Sequence, residues 1–375
     1  MDKKRLIEAY KDKNVYITGI TGFKGGWLTL MLHELGANVS GIGLDPDQDD
    51  GIFYQARIDE IADVTIGDIV EPADTTKLIP SIIKANPDYI FHMAAQPIVS
   101  EGYKDPFNTF NTNIMGTVML HEVIRGLRLP ASKENLENGH CAKIDDENLS
   151  CKKISIINIT TDKVYKEENR PLKEDDKMFG FDPYSLSKTC SDMISSCYRD
   201  ALKSPHYIST MRAGNVIGGG DMAVNRIIPD IVRATRAGEI VKIRSPYSVR
   251  PYQHVFDALS AYLWVAMLQR EDKKYQGEYN VGPDIDQTMQ TYELVEKMQD
   301  YLDFKWENTG KSIGKESNYL ALDNTKIKSV GWVPAYPTND LVVEAVSKWY
   351  NKSMQGEDMQ KITLNQIKEA FNSYE

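Results

Sequence analysis

Brief apolar runs alternate with longer stretches of helical periodicity along the first 215 residues. Continuous apolar runs of this length are typical of parallel strands whose two faces are both covered by helices. The runs predict strands at 15–17, 38–43, 64–66, 89–93, 154–159 and 207–211. Between them, helices are predicted at 107–125 and from Pro183 onwards. The pattern therefore predicts an α/β fold with a Rossmann-type, doubly wound parallel sheet.

Beyond residue 215 the predicted elements are shorter and less regular. They are helices at 229–237, 292–301 and 339–351 and strands at 279–282 and 319–323. We expect residues 1–215 to form the Rossmann domain and residues 216–353 to form mainly a smaller C-terminal α/β lobe, with some segments returning to the first domain. We expect residues 354–375 to form a C-terminal helix. Residues 128–153 are polar, charged and without periodicity, which predicts a surface insertion.

The first predicted strand runs into a turn with glycines at three-residue steps, Gly19, Gly22 and Gly25, followed by an apolar helical run. Glycines let a pyrophosphate approach the helix N-terminus, where the N–H groups and the dipole favour anions. Such a turn could serve only as a tight connection, but the flanking strand and helix favour dinucleotide binding. Asp45 follows the second strand, where an acid would accept hydrogen bonds from the ribose hydroxyls and repel a 2′-phosphate, which favours NAD over NADP. The alternative is that Asp45 is a solvated carboxylate of the loop. Asp68, after the third strand, could accept from the adenine amino group.

Composition narrows the range of partners. The chain has 375 residues, a formal charge of −10 and no apolar run near the ~20 residues of a spanning helix. We therefore expect neither nucleic acid nor a membrane as the main partner, and the charged N-terminus shows no signal peptide. The six histidines do not have the spacing that is typical of metal ligands, so we expect no metal site. A bridge between Cys141 and Cys151 is conceivable, but free thiols in the cytoplasm are the expectation.

Candidate chemistry follows the fifth predicted strand. Thr161, Asp162 and Lys163 lie at its carboxyl end, where open parallel sheets bind their ligands. Tyr184 and Lys188 share one face of the next helix, and a lysine beside a tyrosine lowers the phenol pKa and favours a base. The YxxxK pattern is weak alone, because both residue types are common. Its position downstream of the dinucleotide turn favours catalysis.

Two arginines in the second lobe are candidates for holding a phosphate. Arg226 precedes a predicted helix, and Arg250 opens the run Arg-Pro-Tyr-Gln-His. The planar guanidinium suits bidentate contact with phosphate, although surface ion pairs are the alternative for each. His92, on the fourth predicted strand, is expected to be a packed core histidine.

These motifs together resemble the extended short-chain dehydrogenase/reductase superfamily over nearly the whole chain. Residues 18–25 match its TGxxGxxG motif, and Tyr184 with Lys188 matches its YxxxK motif. Within it, the chain is similar to CDP-glucose 4,6-dehydratases at residues 21–28, 92–97, 161–163, 182–188, 212–221 and 250–254. Lys163, where most sugar-nucleotide 4,6-dehydratases carry glutamate, is also similar to that branch. Gly26 in place of serine and Tyr252 in place of tryptophan depart from the pattern.

The resemblance implies an NAD-dependent hydro-lyase that converts CDP-D-glucose to CDP-4-dehydro-6-deoxy-D-glucose and water. Tyr184 would take the proton of the C4 hydroxyl, to which Thr161 would hydrogen-bond, while hydride passes to NAD and later returns to C6. Lys163 or a neighbour would remove the C5 proton, and Asp162 would protonate the departing C6 hydroxyl. The division of labour between Asp162 and Lys163 stays open.

The resemblance also implies binding residues. Those for the cofactor are Gly19, Thr21, Gly22, Phe23, Lys24, Gly25, Asp45, Asp68, Ile69, Ala94, Ala95, Gln96, Asn113, Tyr184 and Lys188. Those for the nucleotide sugar are Gln96, Asn215, Arg226, Arg250 and His254. A homodimer or homotetramer is implied through the helices near 107–125 and 184–201.

Three alternatives stay open: a sugar-nucleotide 4-epimerase or reductase, a 4,6-dehydratase for another nucleotide sugar, and a non-catalytic NAD-binding protein. The Asp162–Lys163 pair favours a dehydratase, because epimerisation needs no acid–base pair at C5 and C6. The presence of both Tyr184 and Lys188 favours an enzyme over a non-catalytic protein.

Overall fold

The computed structural model describes residues 1–46, 50–126, 152–310 and 318–374, without the side chains of residues 72–76. The predicted insertion at 128–153 lies outside the described residues, apart from its last two positions. No helix in the described ranges is long and apolar enough to cross a membrane.

A seven-stranded parallel sheet forms the centre of the molecule. Its strands are β1 (Asn14–Thr18), β2 (Asn38–Gly43), β3 (Asp63–Ile66), β4 (Tyr89–His92), β5 (Ser155–Thr161), β6 (Tyr207–Ala213) and, further along the chain, β11 (Gly277–Val281). Their order is β11-β6-β5-β4-β1-β2-β3, so the direction of the connections reverses beside β1. This is the predicted doubly wound sheet, and such a reversal opens a crevice at the carboxyl ends of the strands. Between β6 and β11, and after β11, come β7 (Val216–Ile217), β8 (Val241–Ile243), β9 (Val249–Arg250), β10 (Gln253–His254), β12 (Met289–Gln290) and β13 (Trp306–Asn308), which form three small two-stranded sheets.

Helices cover both faces of the sheet. They are α1 (Lys3–Tyr10), α2 (Phe23–Glu34), α3 (Ile52–Gln55), α4 (Pro72–Ala85), α5 (Val99–Lys104), α6 (Pro106–Phe110), α7 (Gly116–Gly126), α8 (Pro183–Asp200), α9 (Ile227–Ala237), α10 (Val255–Glu271), α11 (Thr291–Gln299), α12 (Thr325–Ser329), α13 (Asn339–Met354) and α14 (Met359–Asn372). Alternate residues of β1 enter different cores: Val15 and Ile17 pack in the core with α2 and α10, and Tyr16 packs in the core with α4 and α7. The period-2 geometry of a strand explains this division, and it explains why the strands are apolar throughout.

Two predicted elements differ from the structure. The helix predicted at 107–125 is interrupted by a π-helical turn, Asn111–Met115, between α6 and α7. The strand predicted at 319–323 is wrong, because this segment forms only isolated bridges, Val249 with Tyr319 and Leu172 with Leu322. Its two ends pair with different segments, so no ladder of consecutive pairs develops.

The C-terminal helices hold the loop that contains three consecutive glycines, 218–220. The ring of Trp349 in α13 lies against Gly219, where a β-carbon would come within 2.0 Å of ring atom Cδ2. From the other side, Trp27 of α2 donates its indole N–H to the Gly219 carbonyl at 2.8 Å. The Tyr350 hydroxyl donates to the Asp221 carbonyl at 2.7 Å. This packing fixes the loop beside α2, whose first turn borders the crevice.

Candidate active site

The glycine turn leaves the start of α2 open. Gly19 has a φ of +77°, and a β-carbon there would lie 2.8 Å from the backbone nitrogen of Ala94. A β-carbon on Gly25 would lie 2.2 Å from the Gly19 carbonyl oxygen, so neither position accepts a side chain. Gly22 is the N-cap, and no side chain of the described residues caps the helix there. The backbone N–H groups of this first turn fit a pyrophosphate, as the motif predicts.

A cavity of about 840 Å³ extends from this turn along the carboxyl ends of the central strands. It brings together all but two of the predicted site residues: Gly19, Thr21, Gly22, Phe23, Lys24, Gly25, Asp45, Asp68, Ile69, Ala94, Ala95, Gln96, Thr161, Asp162, Lys163, Tyr184, Lys188, Asn215, Arg226 and Arg250. Asp45 is exposed at the end of β2, and Asp68 follows β3. One continuous cavity thus joins the glycine turn to the polar end of β5.

Thr161 ends β5, and the short 3₁₀ turn Asp162–Val164 follows it. The Thr161 hydroxyl donates to Asp162 Oδ1 at 2.8 Å, while the other oxygen, Oδ2, is buried without a partner in the described part of the chain. Asp162 is 3% exposed. Burial raises the pKa of Asp162, and the opposing effects of Lys163, Thr161 and Arg250 on that pKa are smaller. A carboxyl group with raised proton affinity and a free oxygen is suited to donating a proton.

Tyr184 and Lys188 lie one turn apart on α8, whose N-cap Asp182 accepts from the Ser185 N–H at 3.0 Å. Lys188 Nζ donates to the Ile159 carbonyl at 3.0 Å, and burial lowers the pKa of Lys188 to about 8. The sequence predicts a lowered phenol pKa for Tyr184, whereas burial raises it to about 12. A hydrogen bond with Thr161 lowers that phenol pKa, but by less than burial raises it.

Basic side chains converge on the cavity although the whole chain is acidic. Lys24 Nζ donates to the Tyr262 hydroxyl at 3.3 Å. Burial, followed by the charges of Arg226 and Lys188, lowers the pKa of Lys24 to about 7. Arg226 Nη1 lies 2.9 Å from Asp221 Oδ2, and Arg250 Nη1 donates to the Val249 carbonyl at 2.9 Å. The site thus combines cations with an open helix N-terminus, an arrangement suited to phosphate groups.

Two predicted binding residues lie outside the cavity. Asn113, in the π turn, accepts from the Gln96 N–H at 2.8 Å and donates to the Gln96 carbonyl at 3.0 Å and to Ser187 Oγ at 2.8 Å. It therefore holds Gln96 rather than lining the cavity. His254 is the buried N-cap of α10, and its Nδ1 accepts from the Phe256 N–H at 3.2 Å. His92 is buried, as predicted for a core histidine.

Several cavity residues were missed by sequence reasoning. They are Lys242, Arg244, Ser248 and Thr291, which come from the short elements of the second lobe. No local pattern marks these residues, because only the folding of the lobe over the sheet brings them to the cavity. The Tyr262 hydroxyl, which contacts Lys24, lies on a helix that is apolar on nearly all sides and gives no polar signal.

Comparison with known proteins agrees with this geometry. The family model for GDP-mannose 4,6 dehydratase matches residues 16–345. CDP-glucose 4,6-dehydratase of Salmonella typhimurium is 37% identical over 97% of this chain and 98% of its own. The dTDP-glucose 4,6-dehydratase of Xanthomonas campestris is 24% identical over 89% of this chain and 92% of its own.

Among solved structures, UDP-glucose-4-epimerase from Stenotrophomonas maltophila, with bound NAD and formylated UDP-arabinopyranose, superposes with a TM-score of 0.74. It is 18% identical and covers 92% of this chain and 100% of its own, which shows a shared fold. The family match over residues 16–345 and the 37% identity show a relationship in sequence as well as in fold. The chain belongs to the GDP-mannose 4,6-dehydratase family, within the extended short-chain dehydrogenases/reductases.

Proposed function

We propose that the protein is an NAD-dependent nucleotide-sugar 4,6-dehydratase whose substrate is CDP-D-glucose and whose products are CDP-4-dehydro-6-deoxy-D-glucose and water. The observation that carries this proposal is the placement of Thr161, Asp162 and Lys163 at one end of the cavity beside Tyr184. A 4-epimerase needs a base at O4 but no acid–base pair at C5 and C6. The choice of CDP-glucose is supported by the 37% identical Salmonella relative and by lysine at position 163.

Residues at the carboxyl ends of β1 to β3 would hold NAD. The open N-terminus of α2 would bind its pyrophosphate, and Gly19 and Gly25 leave space for it. The exposed carboxylate of Asp45 would accept from the ribose hydroxyls and repel a 2′-phosphate. When bound, NAD would supply the acceptor for the C4 hydride of the sugar and the source of the hydride for C6. Arg226 and Arg250 would hold the diphosphate of the nucleotide sugar.

The environment of Asp162 supports the following division of the acid–base roles. Tyr184 receives the proton of O4, and the resulting 4-ketone acidifies the C5 proton. Asp162, whose pKa is raised by burial, donates a proton to the departing O6. Lys163 remains as the base that removes the C5 proton and later returns it. This assignment gives Asp162 and Lys163 the separate roles that the sequence leaves open.

We also propose that the protein forms homodimers, or a homotetramer built from them, through α6, α7 and α8. This surface exposes a group of large apolar side chains: Phe107 (79% exposed), Met193 (59% exposed), Met115 and Leu186. Isolated apolar residues are common on protein surfaces, but a group on adjacent helices favours an interface. Met193→Glu should shift the sedimentation coefficient towards that of a smaller assembly. An unchanged coefficient would argue against this face.

The function is tested by incubating the protein with NAD and a panel of CDP-, UDP-, GDP- and dTDP-linked hexoses. We expect CDP-glucose to lose one water, with no net reduction of NAD, and to give a 4-keto-6-deoxy product by mass spectrometry and NMR. Turnover of a different nucleotide sugar would correct the substrate. Inversion at C4 without loss of water would replace the dehydratase by an epimerase, and no reaction with any sugar would refute both.

A further inference from the structure

The proposed function, on which this inference rests, requires that the cofactor stay bound throughout a turnover. The reaction removes a hydride from C4 of the sugar and returns the same hydride to C6. If the dinucleotide dissociated between the two transfers, the hydride would be lost and the sugar would remain an unreduced ketone. A site that works in this way therefore needs slow release of the dinucleotide.

Residues 50–57, which we call the clasp, border the cavity at the end where Asp45 would bind the ribose of NAD. Ile52 and Phe53 of the clasp line the cavity together with Gly220. Their side chains also pack into the large core of the protein, with Ile52 1% exposed and Phe53 6% exposed. The clasp is therefore a packed wall of the adenosine end of the cavity.

Two glycines, Gly26 of α2 and Gly220, form a cradle around Ile52. A β-carbon on Gly26 would lie 2.7 Å from Ile52 Cγ2, and a β-carbon on Gly220 would lie 2.7 Å from Ile52 Cβ. The Ile52 N–H donates to the Gly220 carbonyl at 3.0 Å. Gly26 lies inside α2 without a positive φ, and glycine is less stable there than alanine. The backbone therefore gives no reason for glycine at position 26, where the dehydratase pattern carries serine, whereas the close contact with Ile52 does.

Polar contacts join the clasp to three helices of the C-terminal half of the chain. They are Asp50 Oδ2 with Arg236 Nη1 at 2.6 Å, Gln55 Oε1 with Ser353 Oγ at 2.9 Å, the Ala56 carbonyl with Gln360 Nε2 at 2.8 Å, and Arg57 Nη2 with Asp358 Oδ1 at 3.0 Å. Arg236 lies in the last turn of α9, Ser353 lies in α13, and Asp358 is the N-cap of α14. Moving the clasp away from the cavity means breaking these contacts, so they oppose its opening.

We propose that the clasp limits the rate at which NAD is released, and that Ile52 in its glycine cradle is the residue on which this rate depends most. Release requires the clasp to move away from α2 and from Gly220. The cradle holds Ile52 against this movement, and the contacts with α9, α13 and α14 add to its hold. The C-terminal half of the chain thus slows cofactor release without touching the reacting atoms.

The cradle is tested by a double-mutant cycle in which bound NADH is displaced by excess NAD and the loss of nicotinamide fluorescence is followed. Gly26→Ala should speed release by about 10-fold, because its methyl displaces Ile52. Ile52→Ala should also speed release by about 10-fold, because the packed side chain is lost. In the Ile52→Ala background, Gly26→Ala should change release by less than about 2-fold, because the clash is gone. An equal effect of Gly26→Ala in both backgrounds would overturn the proposal.

The hold of the C-terminal half is tested at the partly exposed ion pair between Arg236 and Asp50. Arg236→Met should speed NADH release by about 2- to 5-fold, and the charge-reversed variant Arg236→Asp/Asp50→Arg should restore most of the slow release. The matched control is Lys297→Met, which removes an ion pair of the same length, with Asp340, outside the cavity and should leave release unchanged. Release at the wild-type rate in Arg236→Met would overturn the proposal that this half holds the clasp.

Amide hydrogen exchange tests the cradle without cofactor or sugar. The Ile52 N–H is bonded to the Gly220 carbonyl, so it should exchange about 10-fold faster in Gly26→Ala than in wild type. Unchanged exchange in a variant that is folded by circular dichroism would overturn the cradle.

Failure of the clasp and failure of the proposed function give different results. Wild-type release rates in all clasp variants of a protein that converts its sugar would refute the clasp alone. A wild-type protein that releases NADH slowly but converts no nucleotide sugar would refute the proposed function instead.

Discussion

Replacing Asp192 by alanine should destabilise the protein strongly, because it leaves a buried guanidinium without its carboxylate. Asp192 lies on α8, one turn beyond Lys188, and its side chain is 1% exposed. Arg212 of β6 donates to it twice, from Nη2 at 2.7 Å and from Nε at 2.9 Å. Thr160 of β5 donates at 3.0 Å. The carboxylate thus ties the helix that carries Tyr184 to two strands of the sheet.

The magnitude follows from the burial of both charges. Exposed ion pairs contribute about 0.2–1 kcal/mol, whereas removing one partner of a buried pair costs about 3–5 kcal/mol. Arg212 keeps three other acceptors, the Tyr165 hydroxyl and the Glu174 carbonyl, each at 2.8 Å, and Met178 Sδ at 3.4 Å. These contacts compensate part of the loss. We therefore expect Asp192→Ala to lower the free energy of unfolding by about 3 kcal/mol.

Urea unfolding followed by circular dichroism measures this loss. The matched control is Glu101→Ala, which removes an exposed ion pair with Lys104 at 2.7 Å and should cost about 0.5 kcal/mol or less. The double variant Asp192→Ala/Arg212→Met should recover more than half of the stability, since no unpaired charge remains buried. If Asp192→Ala costs no more than Glu101→Ala, the carboxylate does not tie α8 to the sheet as described.

Three further predictions concern the cavity. Tyr184→Phe should abolish nicotinamide reduction while leaving NAD affinity by fluorescence titration unchanged; retained reduction would remove the phenol from its role. Gly25→Ala should lower NAD affinity and cost about 1–3 kcal/mol of stability in urea, because its methyl would lie 2.2 Å from the Gly19 carbonyl oxygen. Gly126→Ala, whose methyl would meet no atom of the described residues within 4 Å, should do neither. The pKa of Lys24 is 10.5 in the unfolded chain and about 7 in the folded protein. Below pH 7 the folded protein must therefore keep a charged lysine in an unfavourable place, which lowers the free energy of unfolding. This loss shrinks as the pH rises from 7 and is gone at about 10.5. The stability advantage of Lys24→Met in urea should therefore shrink from pH 6 to pH 9, and parallel pH curves would contradict the burial of the ammonium.

The sheet could be predicted from the sequence because each strand is buried on both faces. Such strands are short, apolar and separated by helical periods, so β1 and its neighbours stand out. The segment 319–323 has the same apolar character, yet it bridges two different partners instead of forming a ladder. Hydrophobicity reports burial, but it does not report which backbone groups find consecutive partners.

Part of the site could be predicted for a similar reason. Residues at strand ends and in the glycine turn, such as Asp162, are placed by the topology of the sheet. Arg244 and Thr291 reach the cavity only through the fold of the second lobe, which no local spacing encodes. The pKa of Tyr184 depends on how deeply the phenol is buried, a quantity that the YxxxK spacing does not contain.

The packing of α13 on the loop at 218–220 couples the two ends of the chain's fold. Trp349 lies against Gly219, whose carbonyl accepts from the indole N–H of Trp27 in α2. No residue of α13 is among those that line the cavity, yet the helix supports the element whose first turn borders it. Removing α13 should therefore weaken the retention of a dinucleotide as well as the stability of the fold.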